Sequence, residues 1–239
     1  MFRLCTQKQL SLVTLCAALG IGLLAGCRAA PAPDAGFLDQ PQLMEKDKTL
    51  PFDDAWIKSD VNLLGYKKVY VAPVDTTHLL KLDWWDKAAI APGNQQNWSQ
   101  ELGDYFRQHV IAQFKEGDTN KYQVVDTPDD ETLLIELAIV EVIPTKIWLN
   151  AIGYALIGPL DQGTTAFEGR FRDGKSKAVI AEFKDREHGQ LDAVSVADLQ
   201  WSAHSRHTLR IWSEDIERIC YRQPGEVISP MSTVTLRPW

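Results

Sequence analysis

Twelve consecutive residues, Thr132 to Ile143 (TLLIELAIVEVI), constrain the fold of this chain more than any other stretch. Side chains alternate across a strand. Leu133, Ile135, Leu137 and Ile139 therefore share one face, and Leu134, Ala138, Val140 and Val142 the other, with Glu136 among them. A strand apolar on both faces belongs inside a sheet that is covered on both sides.

The rest of the chain supplies material for such a sheet and its covers. Lys68 to Val74 (KVYVAPV) is rich in β-branched residues and reads as a strand. Pro73 marks an edge position or the strand's exit. Trp98, Leu102, Phe106, Val110 and Phe114 recur every four residues and predict a helix from Trp98 to Lys115, widened by Tyr105 and Ile111. Glu101 and Asp104 are expected in its first turns and Lys115 in its last, matching the helix dipole, with Gly117 as a stop. Tyr122 to Val125 reads as a short strand. Thr165 to Arg172 and Ala178 to Arg186 predict a hairpin around Asp173 to Ser176, where Asp-Gly would supply the positive φ angles. The alternation in Glu168 to Arg172 (EGRFR) reads as a solvated strand face. Ser195 opens a helical region in which Trp212, Ile216 and Ile219 continue the period. Phe37 to Asn62 reads as irregular, anchored by Phe52 and Trp56, and Thr233 to Leu236 as a final short strand. The expected order is β-α-β-β, a hairpin, then α: a single domain with a mixed β-sheet flanked by helices, of class α+β or α/β.

The N-terminus has a different character. Arg3 and Lys8 precede Leu10 to Leu24, 15 residues without a charge. At roughly 1.5 Å per residue this run spans about 23 Å, short of the roughly 30 Å hydrocarbon core, and it suits a secretory signal. Leu24-Ala25-Gly26-Cys27 follows at once and resembles the lipobox of bacterial lipoproteins. That resemblance implies cleavage before Cys27, acyl chains on the Cys27 sulfur and amine, and anchoring in a membrane. Several acyl chains on one residue hold stably without basic protein charge. Arg28 in place of an aspartate implies sorting to the outer membrane, with the domain facing the periplasm. Residues 1–26 are thus read as signal peptide, 27–36 as lipidated cysteine and flexible tether (RAAPAPDAG), and 37–239 as one periplasmic domain.

Charge narrows the function. The chain has 25 Lys and Arg against 32 Asp and Glu. Arg3 and Lys8 are the only charges before Cys27, so the mature chain carries a net −9. Such a surface is repelled by phosphates, which argues against nucleic acid as a partner and against a basic patch on anionic lipid. Of four cysteines, Cys5 and Cys16 leave with the signal and Cys27 is lipidated. Cys220 remains and reads as a buried thiol on a helix face.

No nucleophile elbow, phosphate loop or zinc-protease helix motif is present, and no cofactor is implied. His204 and His207 share a helix face but lack fixed third and fourth metal ligands, so no metal is assigned. Asp185 to His188 reads as a solvated charged turn, with a general acid/base cluster as the less favoured alternative. Ile147 to Leu160 (IWLNAIGYALIGPL) is apolar, uncharged and interrupted by Gly153, Gly158 and Pro159. It is expected to pack mainly inward, with Trp148 and Tyr154 at its rim as interaction residues.

Several stretches together resemble one family. These are the lipobox, Gly36-Phe37-Leu38 with Gln42-Leu43, Tyr66-Lys67-Lys68-Val69 leading to Ala72-Pro73-Val74, Tyr122 to Val125, and Glu168-Gly169 with Arg172-Asp173 and Ala181. They resemble the bacterial lipoproteins grouped as domain-of-unknown-function family 3313. The Glu-Gly…Arg-Asp hairpin is the most specific of these motifs. The family carries no catalytic residue to transfer. In fold alone, the strand and helix order is also similar to small periplasmic domains of envelope assembly factors, such as the amino-terminal domain of the Tol-Pal translocation protein. The resulting expectation is a lipid-anchored envelope module that binds a protein or glycan partner without chemistry of its own. The alternative is an envelope hydrolase using carboxylates with His188 or His204.

Overall fold

A computed structural model describes residues 34–79, 92–116, 121–143, 164–188, 203–223 and 225–231. Their elements are β1 (Asp54–Ile57), β2 (Lys68–Val71), α1 (Pro92–Glu116), β3 (Gln123–Val124), β4 (Thr132–Ile143), β5 (Thr164–Asp173), β6 (Val179–His188) and α2 (Ala203–Cys220). The six strands form one mixed sheet in the order β1-β6-β5-β4-β2-β3. The β2–β4 and β2–β3 pairs are parallel and the others antiparallel. With two helices on this sheet, the class is α+β.

One face of the sheet carries the main core. Leu133, Ile135, Leu137 and Ile139 of β4 join Val69 and Val71 of β2, Phe167 and Phe171 of β5, and Phe183 of β6. The expected helix stripe closes it: Leu102, Phe106, Val110 and Phe114 of α1 are buried, with Trp98, Tyr105 and Ile111 packed against them. Trp212, Ile216, Ile219 and Cys220 of α2 complete the cluster. The Cys220 thiol is fully buried, which pushes its pKa well up and leaves it inert.

The structure corrects several local expectations. β1 lies within the segment read as irregular; four residues carry too little alternation to announce a strand, and pairing with β6 decides it. Helix α1 begins at Pro92, six residues before Trp98, so Glu101 and Asp104 sit well past its first turn. Val142 packs in the main core, opposite to simple alternation, because the β4 register shifts between Ile139 and Glu141. The same bulge turns Glu141 to the back face, where it takes Arg186 at 2.8 Å. In the β5–β6 turn the positive φ belongs to Lys177 (59°), not to Gly174. Gly174 is needed for space: a Cβ there would lie 2.3 Å from the Asp129 carbonyl oxygen and 2.4 Å from that of Thr132. Asp185 to His188 is the end of β6, not a turn. Of the two positions expected for Pro73, the structure gives the strand's exit, since Pro73 stands just beyond the end of β2, and not an edge, since β2 is an inner strand.

The back of the sheet has a thinner cover. Ala138 and Val140 of β4 and Ala166 of β5 are buried under Phe37 and Leu38, with Ala35 and Met44 beside them. The second apolar face of β4 is thus covered by the chain that immediately follows the expected tether.

Candidate functional site

Register assembles a charged patch on this back face. Glu136 of β4, Arg170 of β5 and Glu182 of β6 stand in one row, and Ala138, Glu168 and Lys184 in the next. The patch is not the solvated face expected of the EGRFR alternation. Glu168 and Glu182 have no exposed surface at all, because residues 35–40 run across them as a strap.

Every contact between strap and patch uses a sheet side chain. Glu168 accepts the backbone N–H groups of Ala35 (3.0 Å) and Phe37 (3.3 Å). Glu182 accepts those of Asp39 (2.6 Å) and Gln40 (3.0 Å). Arg170 donates to the Phe37 carbonyl at 2.5 Å and to the Asp39 carboxylate at 2.7 Å, and its guanidinium lies 4.3 Å from the Phe37 ring centroid. Arg172 reaches the other Asp39 oxygen at 2.6 Å. Glu136 holds both arginines, at 2.5 and 3.0 Å. From the loop after β2, the His78 ring meets the Phe37 ring edge-on and its Nδ1 lies 3.1 Å from the Ala35 carbonyl oxygen. Gly36 takes φ +84°, a left-handed turn that suits glycine, and so lets the strap enter. Burial raises the pKa values of Glu168 and Glu182, and the strap N–H groups act in the opposite direction.

Two of the family-like motifs therefore meet in space. Gly36-Phe37-Leu38 is the strap, and Glu168 and Arg172 are two of its holders. Gly169 faces the core, where a Cβ would sit 2.3 Å from the Phe183 ring. Asp173 closes the hairpin by accepting from Ser176 N–H at 2.7 Å and from the Tyr66 hydroxyl at 2.9 Å. The sequence showed the alternating charges but not what would cover them.

A second acidic pair lies on the core side of β6. Asp53 and Asp185 are each 3% exposed. Asp185 accepts the Asp53 N–H at 3.1 Å and the Trp212 indole N–H at 2.7 Å. Burial, with Asp53 adding to it, raises the Asp185 pKa well above the usual carboxylate range.

Cys27, Trp148 and Tyr154 lie outside the described residues, as do residues 195–202 of the Ser195 helical region. His188 ends β6, with Nδ1 3.2 Å from the Thr164 hydroxyl. The backbone of His204 lies in the first turn of α2, while its side chain is outside the described part. His207 Nε2 is buried and has no hydrogen-bond partner among the described residues. Among the described residues no group of three His, Cys, Asp or Glu is placed to hold a metal ion, and no helix is long and apolar enough to cross a membrane. An open hollow of about 390 Å³ is lined by Asp60, Val61, Asn62, Gly65, Tyr66, Asp130 and Glu131. It contains acids but neither a histidine nor a nucleophile.

Among solved structures, a PelC point-variant dodecamer from Paraburkholderia phytofirmans is similar over 68% of this chain and 95% of its own, at 10% identity and TM-score 0.40. A minor lipoprotein from Acinetobacter baumannii is similar over 65% of this chain and 94% of its own, at 14% identity and TM-score 0.32. Both overlays are loose. No curated protein matches the chain. One family model does match, over residues 33–203, a span that opens at the strap and contains all six strands. The chain thus belongs to the family described as protein of unknown function DUF3313.

Proposed function

We propose that this protein is a lipid-anchored lipoprotein of the bacterial cell envelope, a non-catalytic binding or assembly module held on the periplasmic side of the outer membrane by acyl chains on Cys27. The observation that carries this reading is the course of the chain after the lipobox. Eight residues beyond Cys27, at Ala35, the backbone is already gripped by Glu168. Extended, that interval reaches roughly 28 Å, so the start of the strap stays within about that distance of the anchor. A lattice of buried carboxylates and arginines spent on holding the lead-in segment suits a domain whose position relative to its anchor matters.

Cys27→Ala tests the anchor. The variant should remain an unprocessed or soluble precursor and take up no labelled palmitate. Continued fractionation with lipid-modified outer-membrane proteins would refute the assignment. Trp148→Ala and Tyr154→Ala test the interaction role of the apolar segment. They should weaken partner capture by crosslinking in intact cells more than they lower thermal stability. Full capture with a large stability loss would make that segment ordinary core.

A further inference from the structure

We propose that the back face of the sheet is a peptide-binding site, occupied in cis by residues 35–40, whose ligand class is a short segment carrying an aromatic residue followed two positions later by an acid. This rests on the binding-module reading above and names the ligand that such a module takes.

The chemistry of the site defines its ligand. Two carboxylates accept four backbone N–H groups, from Ala35, Phe37, Asp39 and Gln40, so they read main-chain donors rather than particular side chains. Arg170 takes the Phe37 carbonyl and caps its ring, a recognition of an aromatic side chain. Arg170 and Arg172 together take the Asp39 carboxylate, and Glu136 fixes both guanidinium groups for that task. The spacing aromatic-x-acid is thus written into the positions of the two arginines.

Three features make the cis segment an exchangeable occupant. Residues 35–44 add no strand to the sheet, and the first backbone bridge is Glu45 with Ala55. Withdrawal back to that bridge therefore breaks no sheet ladder. The apolar surface left behind is small, since beneath the strap lie Ala138, Val140 and Ala166. The charged surface left behind gains water: Glu168 and Glu182 are fully buried under the strap and would hydrate on its release. The vacated face would present these hydrated carboxylates beside Ala138, Val140 and Ala166.

The test uses a fluorescent synthetic peptide of residues 34–44 and the full-length protein in detergent. The double variant Phe37→Ala/Asp39→Ala weakens the cis strap while leaving every sheet residue in place. It should bind the peptide roughly a hundredfold more tightly than wild type does, because a tethered competitor acts at high effective concentration. Adding Arg170→Ala to that variant should abolish the gain. A folded double variant that fails to bind, or binding that survives Arg170→Ala, would overturn the proposal. A second measurement needs no substitution. In wild type, excess peptide should speed hydrogen exchange at the amides of residues 35, 37, 39 and 40 and leave β5 protected. Unchanged exchange at those amides with saturating peptide would equally overturn it. Failure here leaves palmitate labelling and fractionation at Cys27 untouched, so the two readings fall separately.

Discussion

Phe37 and Glu168 are 131 residues apart in the chain, and the amide N–H of the first donates to a carboxylate oxygen of the second at 3.3 Å. The second oxygen of the same carboxylate takes the N–H of Ala35. A fully buried carboxylate is costly unless its lone pairs are met by donors. Here the donors come from the segment that joins the fold to its anchor, so the stability of Glu168 in its site and the docking of the lead-in are one event.

Removing that acceptor should free the strap and spare the sheet. Glu168→Ala leaves two strap N–H groups without a partner, a loss of about 1–3 kcal/mol of docking. Hydrogen exchange should show faster exchange at Ala35 and Phe37, with β4 and β5 amides as protected as in wild type. Glu168→Gln, which keeps one acceptor oxygen, should fall between the two.

Gly169 should tolerate no side chain. It pairs with Phe183 across the β5–β6 ladder, and the ring lies over it. That ring is held by Phe52, stacked at 4.7 Å, and by Phe171 at 5.0 Å, so it cannot move aside. Gly169→Ala should destabilise by about 1–3 kcal/mol through overpacking, read as a lower denaturation midpoint with an unchanged slope.

Charges placed in the α1 stripe should unfold the domain. Phe106 is fully buried and Leu102 nearly so. Phe106→Asp or Leu102→Asp buries a carboxylate with no donor, at a cost above about 4 kcal/mol. Loss of the cooperative thermal transition is the expected outcome. Glu101→Ala, on the exposed side of the same helix, serves as the unaffected control.

Asp215 should tilt stability with pH. Burial raises its pKa from 3.8 to about 6, although Arg218 donates to it at 2.7 Å. The folded protein therefore holds a proton there that the unfolded chain releases. The stability linked to this group is complete below pH 3.8 and is lost as pH rises through about 6. Asp215→Asn cannot ionise and lacks this slope. Between pH 4 and 7, wild type should lose up to roughly 3 kcal/mol relative to the variant in urea denaturation. A constant difference across that range would contradict the assignment.

The amino-acid sequence by itself determined the elements whose signal is local. The two apolar faces of β4, the four-residue recurrence from Trp98 to Phe114 and the two strands around Asp173-Gly174 follow from alternation and period within a dozen or so residues, and the family motifs are legible for the same reason; the reason Gly174 is needed, space against the backbone of Asp129 and Thr132, is not. Tertiary structure alone decided what lies over each face. The EGRFR alternation is the same pattern whether water or a strap covers it. Only the return of residues 35–40, more than a hundred positions upstream, turns Glu168 and Glu182 from surface charges into buried acceptors. β1 was invisible because four residues become a strand only when β6 offers its edge, and Val142 changed face because a bulge is a property of two strands in register. Burial and pairing are relations between distant segments, and a pattern read along one segment does not contain them.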